Sequence, residues 1–390
     1  MSELKNTQSP ILREGGTSTN HRNSNLELFR IVTMLLIVAH HYVVNSGLTL
    51  ADGPIYSNIW SWRSIFLLLF GAWGKTGINC FMFITGYFMC KSHITVKKYL
   101  RLILEIVFYN VVITLIFLLS GYEPFSVVSF VKNLLPIAGV TTGFTSCYLL
   151  FYLCIPFLNI LVRNMTEKQH FSLIALVAFI YIVMGTMPGF AVTMNYVSWF
   201  CVLYFIASYI RLYPKKLFDN TKLWGMLSAV SVIVSAASVV SIAYLAKKLG
   251  LGGGNSFYFL ADSNKILAVI TALCAFMFFK NVKIRYSKFI NTVAASTFGV
   301  LMIHANSDAM RRWLWQDVLK NDGMYFSNYL VIHAVVSVLA VFAVCVVIDI
   351  LRIHLLEKPF FKIWYNNRER ILFKFQKIEN KIFNKLNIKA

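Results

Sequence analysis

The sequence predicts an all-α, polytopic membrane helix bundle with about ten transmembrane helices and both termini in the cytoplasm. Three observations carry that expectation: the scarcity of charge, the recurrence of apolar runs of one length, and the uneven distribution of basic residues between them. Of 390 residues, 58% are hydrophobic and only 14% charged, against roughly a quarter charged in soluble domains. Water cannot be the main solvent of such a chain. Apolar runs fall near 28–44, 65–89, 102–120, 146–162, 170–187, 196–212, 223–245, 262–279, 290–306 and 326–350. About 20 residues cross the ~30 Å hydrocarbon core as a helix. A β-barrel would instead show short alternating segments, and none is present.

The charge distribution sets the orientation. With the N-terminus inside, 27 of the 37 Lys and Arg residues fall in the N-terminal tail, the even-numbered loops and the C-terminal segment. Seven lie in the opposite loops, and Arg30, Lys75 and Lys265 lie within apolar spans. This asymmetry follows the positive-inside rule. It also accounts for the net charge of +21 without nucleic acid as a partner. Residues 1–25 are polar and read as a flexible cytoplasmic tail, 26–352 as one membrane domain, and 353–390 as a basic cytoplasmic tail. In that last segment Ile371, Phe375, Ile378, Ile382 and Leu386 recur at helical spacing among basic residues, the pattern of an amphipathic helix on the inner leaflet. Gly252, Gly253 and Gly254 mark a flexible outward loop. The seven cysteines lie in or beside apolar runs without a paired motif and read as packing residues, and no metal site is expected.

Ionisable groups inside hydrocarbon are costly, so each is a functional candidate unless it only joins helices. The first run has the densest set: Leu26-Glu27-Leu28-Phe29-Arg30, an apolar stretch, then His40-His41. At 100° and 1.5 Å per residue, Arg30 and His41 lie about 16 Å apart and within about 20° of one face, while His40 points about 80° away. An Arg offers a planar fork of donors for phosphate or carbonyl oxygens, and a neutral imidazole takes protons near neutral pH. The pair therefore suits a pore-lining donor site and general base. The plainer alternative is that Arg30 reaches the inner interface beside Glu27 and His41 bonds a neighbouring helix.

The pattern Arg30, ten residues, His41 within Leu26-Glu27-Leu28-Phe29-Arg30-Ile31 resembles the start of acyltransferase family 3, bacterial integral-membrane O-acyltransferases. Four further segments resemble the family in order: Gly77-Ile78-Asn79-Cys80-Phe81-Met82-Phe83-Ile84-Thr85-Gly86-Tyr87, Tyr148-Leu149 to Pro156-Phe157-Leu158-Asn159, Tyr204 to Arg211, and Ser296 to His304. The resemblance spans about 24–360, nearest in character to the capsule and exopolysaccharide branch. Cys80, Thr85 and Cys147 depart from the usual Phe, Ser and Trp, so substrate contacts are not assigned to them.

The resemblance implies transfer of an acyl group, usually acetyl, from cytoplasmic acyl-CoA to a hydroxyl of an envelope or exopolysaccharide glycan or lipid-linked sugar. The location it implies is the bacterial cytoplasmic membrane. Arg30 and His41 would be the essential pair, Arg30 positioning the donor and His41 acting as base or first acyl acceptor. Around them, Lys75, Asn79, His304 and Asn306 are candidates for substrate binding, and Lys97, Lys98 and Arg101 for the CoA phosphates. Each has a plainer reading. Lys75 and Asn79, flanked by Gly71, Gly74 and Gly77, suit close helix packing; His304 and Asn306 suit a helix end; the inner basic cluster suits membrane topology. Glu105, Asn110, Asp349 and Arg352 read as satisfied polar pairs. A transporter or flippase of a glycan or acyl precursor is the competing function, although no paired broken helices are evident.

Overall fold

In the computed structural model, residues 23–137, 143–190, 192–251 and 253–367 are described. Among them the chain is helical without strands. The helices are α1 Ser24–Val44, α2 Pro54–Ser57, α3 Trp62–Gly71, α4 Gly74–Met89, α5 Val96–Leu119, α6 Val127–Leu134, α7 Phe144–Asn164 and α8 Glu167–Ala178. They continue as α9 Tyr196–Leu212, α10 Thr221–Leu249, α11 Ile266–Asn281, α12 Lys288–Ala295, α13 Thr297–His304, α14 Asp308–Arg312, α15 Leu330–Arg352 and α16 Lys358–Asn366. Each apolar run of the sequence falls on one of these helices or on a broken pair.

Among the described residues, seven helical stretches are long and apolar enough to cross a membrane: Ser24–Val44, Trp62–Met89, Val96–Leu119, Phe144–Asn164, Glu167–Met184, Thr221–Leu249 and Leu330–Asn366. Helices α9 and α11 are apolar but shorter. The ninth expected run, 290–306, is not one helix. It breaks at Ser296 into α12 and α13, where the Thr297 hydroxyl donates to the Ala294 carbonyl at 2.8 Å. Such a local side-chain bond offers the backbone an alternative to the helical ladder. The second run is broken likewise, between Gly71 and Gly74. Two runs that read as continuous are thus interrupted, and both breaks lie beside the cavity described below.

Helix ends follow local chemistry. Thr166 and Gln169 form a reciprocal capping box on α8, and Asn195 and Asn220 accept from Ser198 and Leu223 to open α9 and α10. Gly250 ends α10 with φ of +65°, a left-handed conformation that favours glycine. Gly253 does not behave as part of a flexible loop. It is buried, and an added Cβ would lie 2.7 Å from both Tyr56 and Ile59. Gly252, the N-terminal tail through residue 22 and the expected amphipathic helix with Ile371, Phe375, Ile378, Ile382 and Leu386 lie outside the described residues.

Two apolar cores hold the bundle. One gathers Met34, Ile37, Val38 and Tyr42 of α1 with Leu67 and Leu68 of α3, Ile106 of α5, Val300 of α13 and Phe342 of α15. The other joins Phe83 of α4, Phe151 of α7, Trp199 and Tyr204 of α9 and Phe276 of α11. Outward-facing Phe157, Ile160, Ile233, Val336, Leu339 and Val347 remain exposed, as residues solvated by lipid would be.

A close helix approach runs along α1. Gly71, Gly74 and Gly77 face Val43, His40 and Ile37 in antiparallel register, and Cβ atoms added there would meet those side chains at 2.8, 2.3 and 2.7 Å. The small-residue flank read from the sequence is thus the contact that sets α1 against α3 and α4.

Charge inside the bundle is concentrated at one hub. Arg352, with its side chain 6% exposed, bonds Asp349 at 2.8 Å, Glu357 at 2.9 Å and Glu105 at 3.1 Å. Tyr109 donates to Asp349 at 2.7 Å, and Arg101 reaches Glu357 at 2.7 Å. The polar pairs expected of Glu105 and of Asp349 with Arg352 are joined in this single network. Removing one partner of a buried ion pair leaves uncompensated charge and costs about 3–5 kcal/mol. Arg352→Met should therefore lower the melting temperature of detergent-solubilised protein strongly, whereas Lys362→Met in the adjoining exposed turn should leave it nearly unchanged.

Candidate active site

Between α1, α4, α5, α7, α9 and α13 lies a cavity of about 1000 Å³. Arg30 and His41 both border it, as their spacing on one face of α1 requires. One end carries Arg30, Lys98, Arg101 and Glu105; the other carries His40, His41, Lys75, Asn306 and Arg311. Between these ends the wall is aromatic and apolar, with Tyr148, Tyr152, Phe298, Leu301 and Ile37. The arrangement is a long compartment with one charged end, a mostly neutral middle and a histidine-bearing opposite end.

His41 is fixed by a second histidine. Its Nδ1 lies 2.9 Å from Nε2 of His304, and Nδ1 of His304 lies 2.6 Å from the Val300 carbonyl. A carbonyl only accepts, so His304 donates through Nδ1. In a neutral His304, Nε2 is then an acceptor, and His41 must donate to it through Nδ1. The lone pair of His41 is thereby left on Nε2. A ring held in one tautomer by an acceptor at its other nitrogen is the arrangement a general base or nucleophile needs.

His40 also borders the cavity, so the expected separation of the two histidines is not realised as exclusion from it. The distinction lies in their partners. Nδ1 of His40 donates to the Gly71 carbonyl at 2.6 Å, and its ring fills the space left by the missing side chain of Gly74. His40 thus joins helices, while His41 ends a relay.

Arg30 is only weakly satisfied among the described residues. Its Nε is out of solvent without a hydrogen-bond partner, and Glu27 approaches it only to 3.9 Å. The pairing with Glu27 is therefore a loose one, and the guanidinium borders the cavity with donors to spare.

The other sequence candidates divide. Lys75 borders the cavity, donating to Tyr196 at 2.8 Å with Asp262 at 3.7 Å. Asn306 borders it too, bonded to Asn110 at 3.1 Å. Lys98 and Arg101 border the Arg30 end of the cavity, Lys98 bonded to Ser92 at 2.9 Å and Arg101 to Glu357 at 2.7 Å.

Three candidates do not reach the cavity. Asn79 is 0% exposed, donating to the Ser263 carbonyl at 2.7 Å and accepting from Trp199 at 2.9 Å, so it joins α4 to α9 and the segment before α11. His304, also 0% exposed, lies behind His41 and orients it instead of contacting substrate. The Lys97 ammonium lies over the Phe361 ring at 5.5 Å, outside the cavity wall, and there helps dock α16.

Sequence reasoning missed Tyr148, Tyr196 and Arg311. The two tyrosines sit on helix faces rich in other aromatics, with no spacing to single them out. Arg311 sits in a short polar segment that reads as an outward loop.

The relay predicts a measurable tautomer. Nitrogen NMR of histidine-labelled protein should show His41 protonated at Nδ1. His304→Leu should release that preference, and His304→Gln, whose carbonyl can accept from His41, should retain it. An Nε2-protonated His41 in the unmodified protein would remove the relay.

No curated protein and no solved structure matches the chain. The acyltransferase family 3 profile, described as an acyltransferase domain, matches residues 23–350. That match takes in α1 with Arg30 and His41, the glycine contact with α4, the cavity wall and His304. With helices long and apolar enough to cross a membrane many times, the chain belongs to acyltransferase family 3 and is a multi-pass membrane acyltransferase.

Proposed function

We propose that this protein transfers an acyl group, acetyl in the first instance, from cytoplasmic acyl-CoA to a hydroxyl of a cell-envelope or exopolysaccharide glycan or its lipid-linked precursor. The observation that carries this reading is the single cavity joining Arg30 at one end to the relay-held His41 at the other. The proposed orientation has ten spans with both termini inside a bacterial cytoplasmic membrane, motivated by the 27-to-7 division of basic residues. It puts the Arg30, Lys98 and Arg101 end at the cytoplasmic face. A reporter fused after Ala390 is then active only in its cytoplasmic form.

In this mechanism the CoA phosphates bind among Arg30, Lys98 and Arg101. The neutral pantetheine arm lies along Tyr148, Tyr152 and Phe298, bringing the thioester towards His41. The acceptor hydroxyl gives its proton to Nε2 of His41 as its oxygen attacks the thioester carbonyl. The carbon–oxygen bond forms, the carbon–sulfur bond breaks, and the proton returns from His41 to the departing thiolate to give free CoA. The same nitrogen would carry the acyl group in a two-step route. No metal is required by either path.

A positioned general base contributes roughly 10²–10⁴-fold in rate. His41→Ala should lose activity on that order per mole of monodisperse protein. His40→Ala should lose less activity and more stability, because His40 fills the α1–α4 contact. A His41 variant with near-normal specific activity would overturn the assignment. Arg30→Lys, which keeps charge without the planar fork, should raise the KM for acyl-CoA, and an unchanged KM would remove Arg30 from the donor site.

The transporter reading draws on the two broken helices at the cavity wall, α3–α4 and α12–α13. Reconstituted protein that moved a glycan across vesicles without covalent change would favour it, whereas an acylated glycan detected by mass spectrometry would favour the enzyme.

A further inference from the structure

The charges along the cavity are not accounted for by the donor alone. Among the described residues, five of the side chains bordering it are cationic, Arg30, Lys75, Lys98, Arg101 and Arg311, and one is a carboxylate, Glu105, bonded to Arg352 at 3.1 Å. An acyl-CoA carries its phosphates at one end and a neutral thioester at the other. Arg30, Lys98 and Arg101 suffice for the phosphates. Lys75 and Arg311 lie at the opposite end, beside His41, where the donor brings no charge.

Lys75 is held by Tyr196 and Asp262, but Arg311 is differently placed. It borders both the main cavity and a separate groove of about 270 Å³, whose wall also includes Asn45, Asp308, Arg312 and Gln316. Two of its five donors are engaged, one by Asp308 at 2.6 Å and one by the Ala305 carbonyl at 3.2 Å. The Asp308 side chain is 90% exposed, so this pair is water-screened and readily exchanged for another anion. The Ala305 bond fixes the guanidinium at the end of α13, next to His304. A fixed, fork-shaped donor between an extended groove and the reacting centre suits a bidentate anion on the chain that supplies the hydroxyl.

We propose that the acceptor is an anionic glycan, and that Arg311 anchors its carboxylate or phosphate at the junction of groove and cavity while an adjacent sugar hydroxyl reaches His41. This rests on the acyltransferase reading above and adds a substrate class to it. Arg312, 58% exposed and 3.6 Å from Glu123, extends the same cationic edge along the groove. The rival role for Arg311 is stabilisation of the oxyanion formed during transfer, which acts on every acceptor alike and not on ground-state binding.

The test is binding of defined oligomers to the full-length protein in detergent: an oligogalacturonate for the carboxylate, an oligo(glycerol phosphate) for the phosphate, and maltoheptaose as the neutral control. One anionic oligomer should bind at least about tenfold more tightly than maltoheptaose, the size expected of one charge-assisted contact. The better of the two identifies the source of the charge. The advantage should shrink as salt rises and be lost in Arg311→Gln, with Arg312→Gln giving a smaller loss. Since Arg311 also closes the end of α13, Arg312→Gln and the salt series on the unmodified protein keep the outcome decisive if Arg311→Gln misfolds. Equal binding of neutral and anionic oligomers, no binding of either anionic one, or an advantage insensitive to both salt and Arg311→Gln overturns the proposal. Titration of the same preparation with acetyl-CoA tests the acyltransferase reading separately, so a neutral-acceptor enzyme and a non-enzyme give different results.

Discussion

The close contact between α1 and the α3–α4 pair is the constraint on which the site depends. Gly71, Gly74 and Gly77 let the backbone of the broken second span approach Ile37, His40 and Val43 to distances that no larger side chain permits. In an apolar solvent there is little hydrophobic drive between helices, so packing of this kind does the work of association. Its consequence is geometric. With the His40 side of α1 seated on glycines, the face bearing Arg30 and His41 is turned to the cavity, and Lys75 is carried to the same end as His41.

The polar groups within the bundle then separate into two kinds. Arg352 is bonded to Asp349, Glu105 and Glu357, and Asn79 to Trp199 and Ser263; these groups join helices. Arg30 keeps a buried Nε without a partner, and His41 keeps a lone pair on Nε2. Leaving such groups unmatched in a low-dielectric interior costs free energy that a purely structural role would avoid. Arg30 and His41 both border the compartment in which a ligand would complete their bonding. The two histidines illustrate the difference, since each donates through Nδ1 but only His41 donates to a side chain that is itself fixed by a further bond.

Much of this was legible in the residue order. Apolar run length fixed the helices within a few residues, because hydrocarbon thickness and helical rise leave little freedom. The cofacial placement of Arg30 and His41 follows from the period of the helix, and the glycine flank from its three-residue spacing. Breaks inside apolar runs were less legible. At the Ser296 break a Thr297 side-chain bond competes only weakly with the helix, and beyond it α13 packs against α15, where Gly299 meets Asp349, a contact distant in the chain.

The sequence by itself determined that this chain is a bundle of apolar helices, that one helix presents an arginine and a histidine on a common face, and that the family resemblance runs along most of its length. These properties are local or periodic, set by a few residues and by the solvent around them. Only the tertiary structure decided which polar residues serve the cavity and which are spent on packing. Asn79, His304 and Lys97 read like Asn306, Lys75 and Lys98 in the chain, yet the first three are turned into helix contacts and the last three reach the cavity wall. The physical reason is that a side chain's role here depends on which neighbour across the bundle meets it, as His304, 263 residues away, meets His41, and no spacing along the chain encodes that meeting.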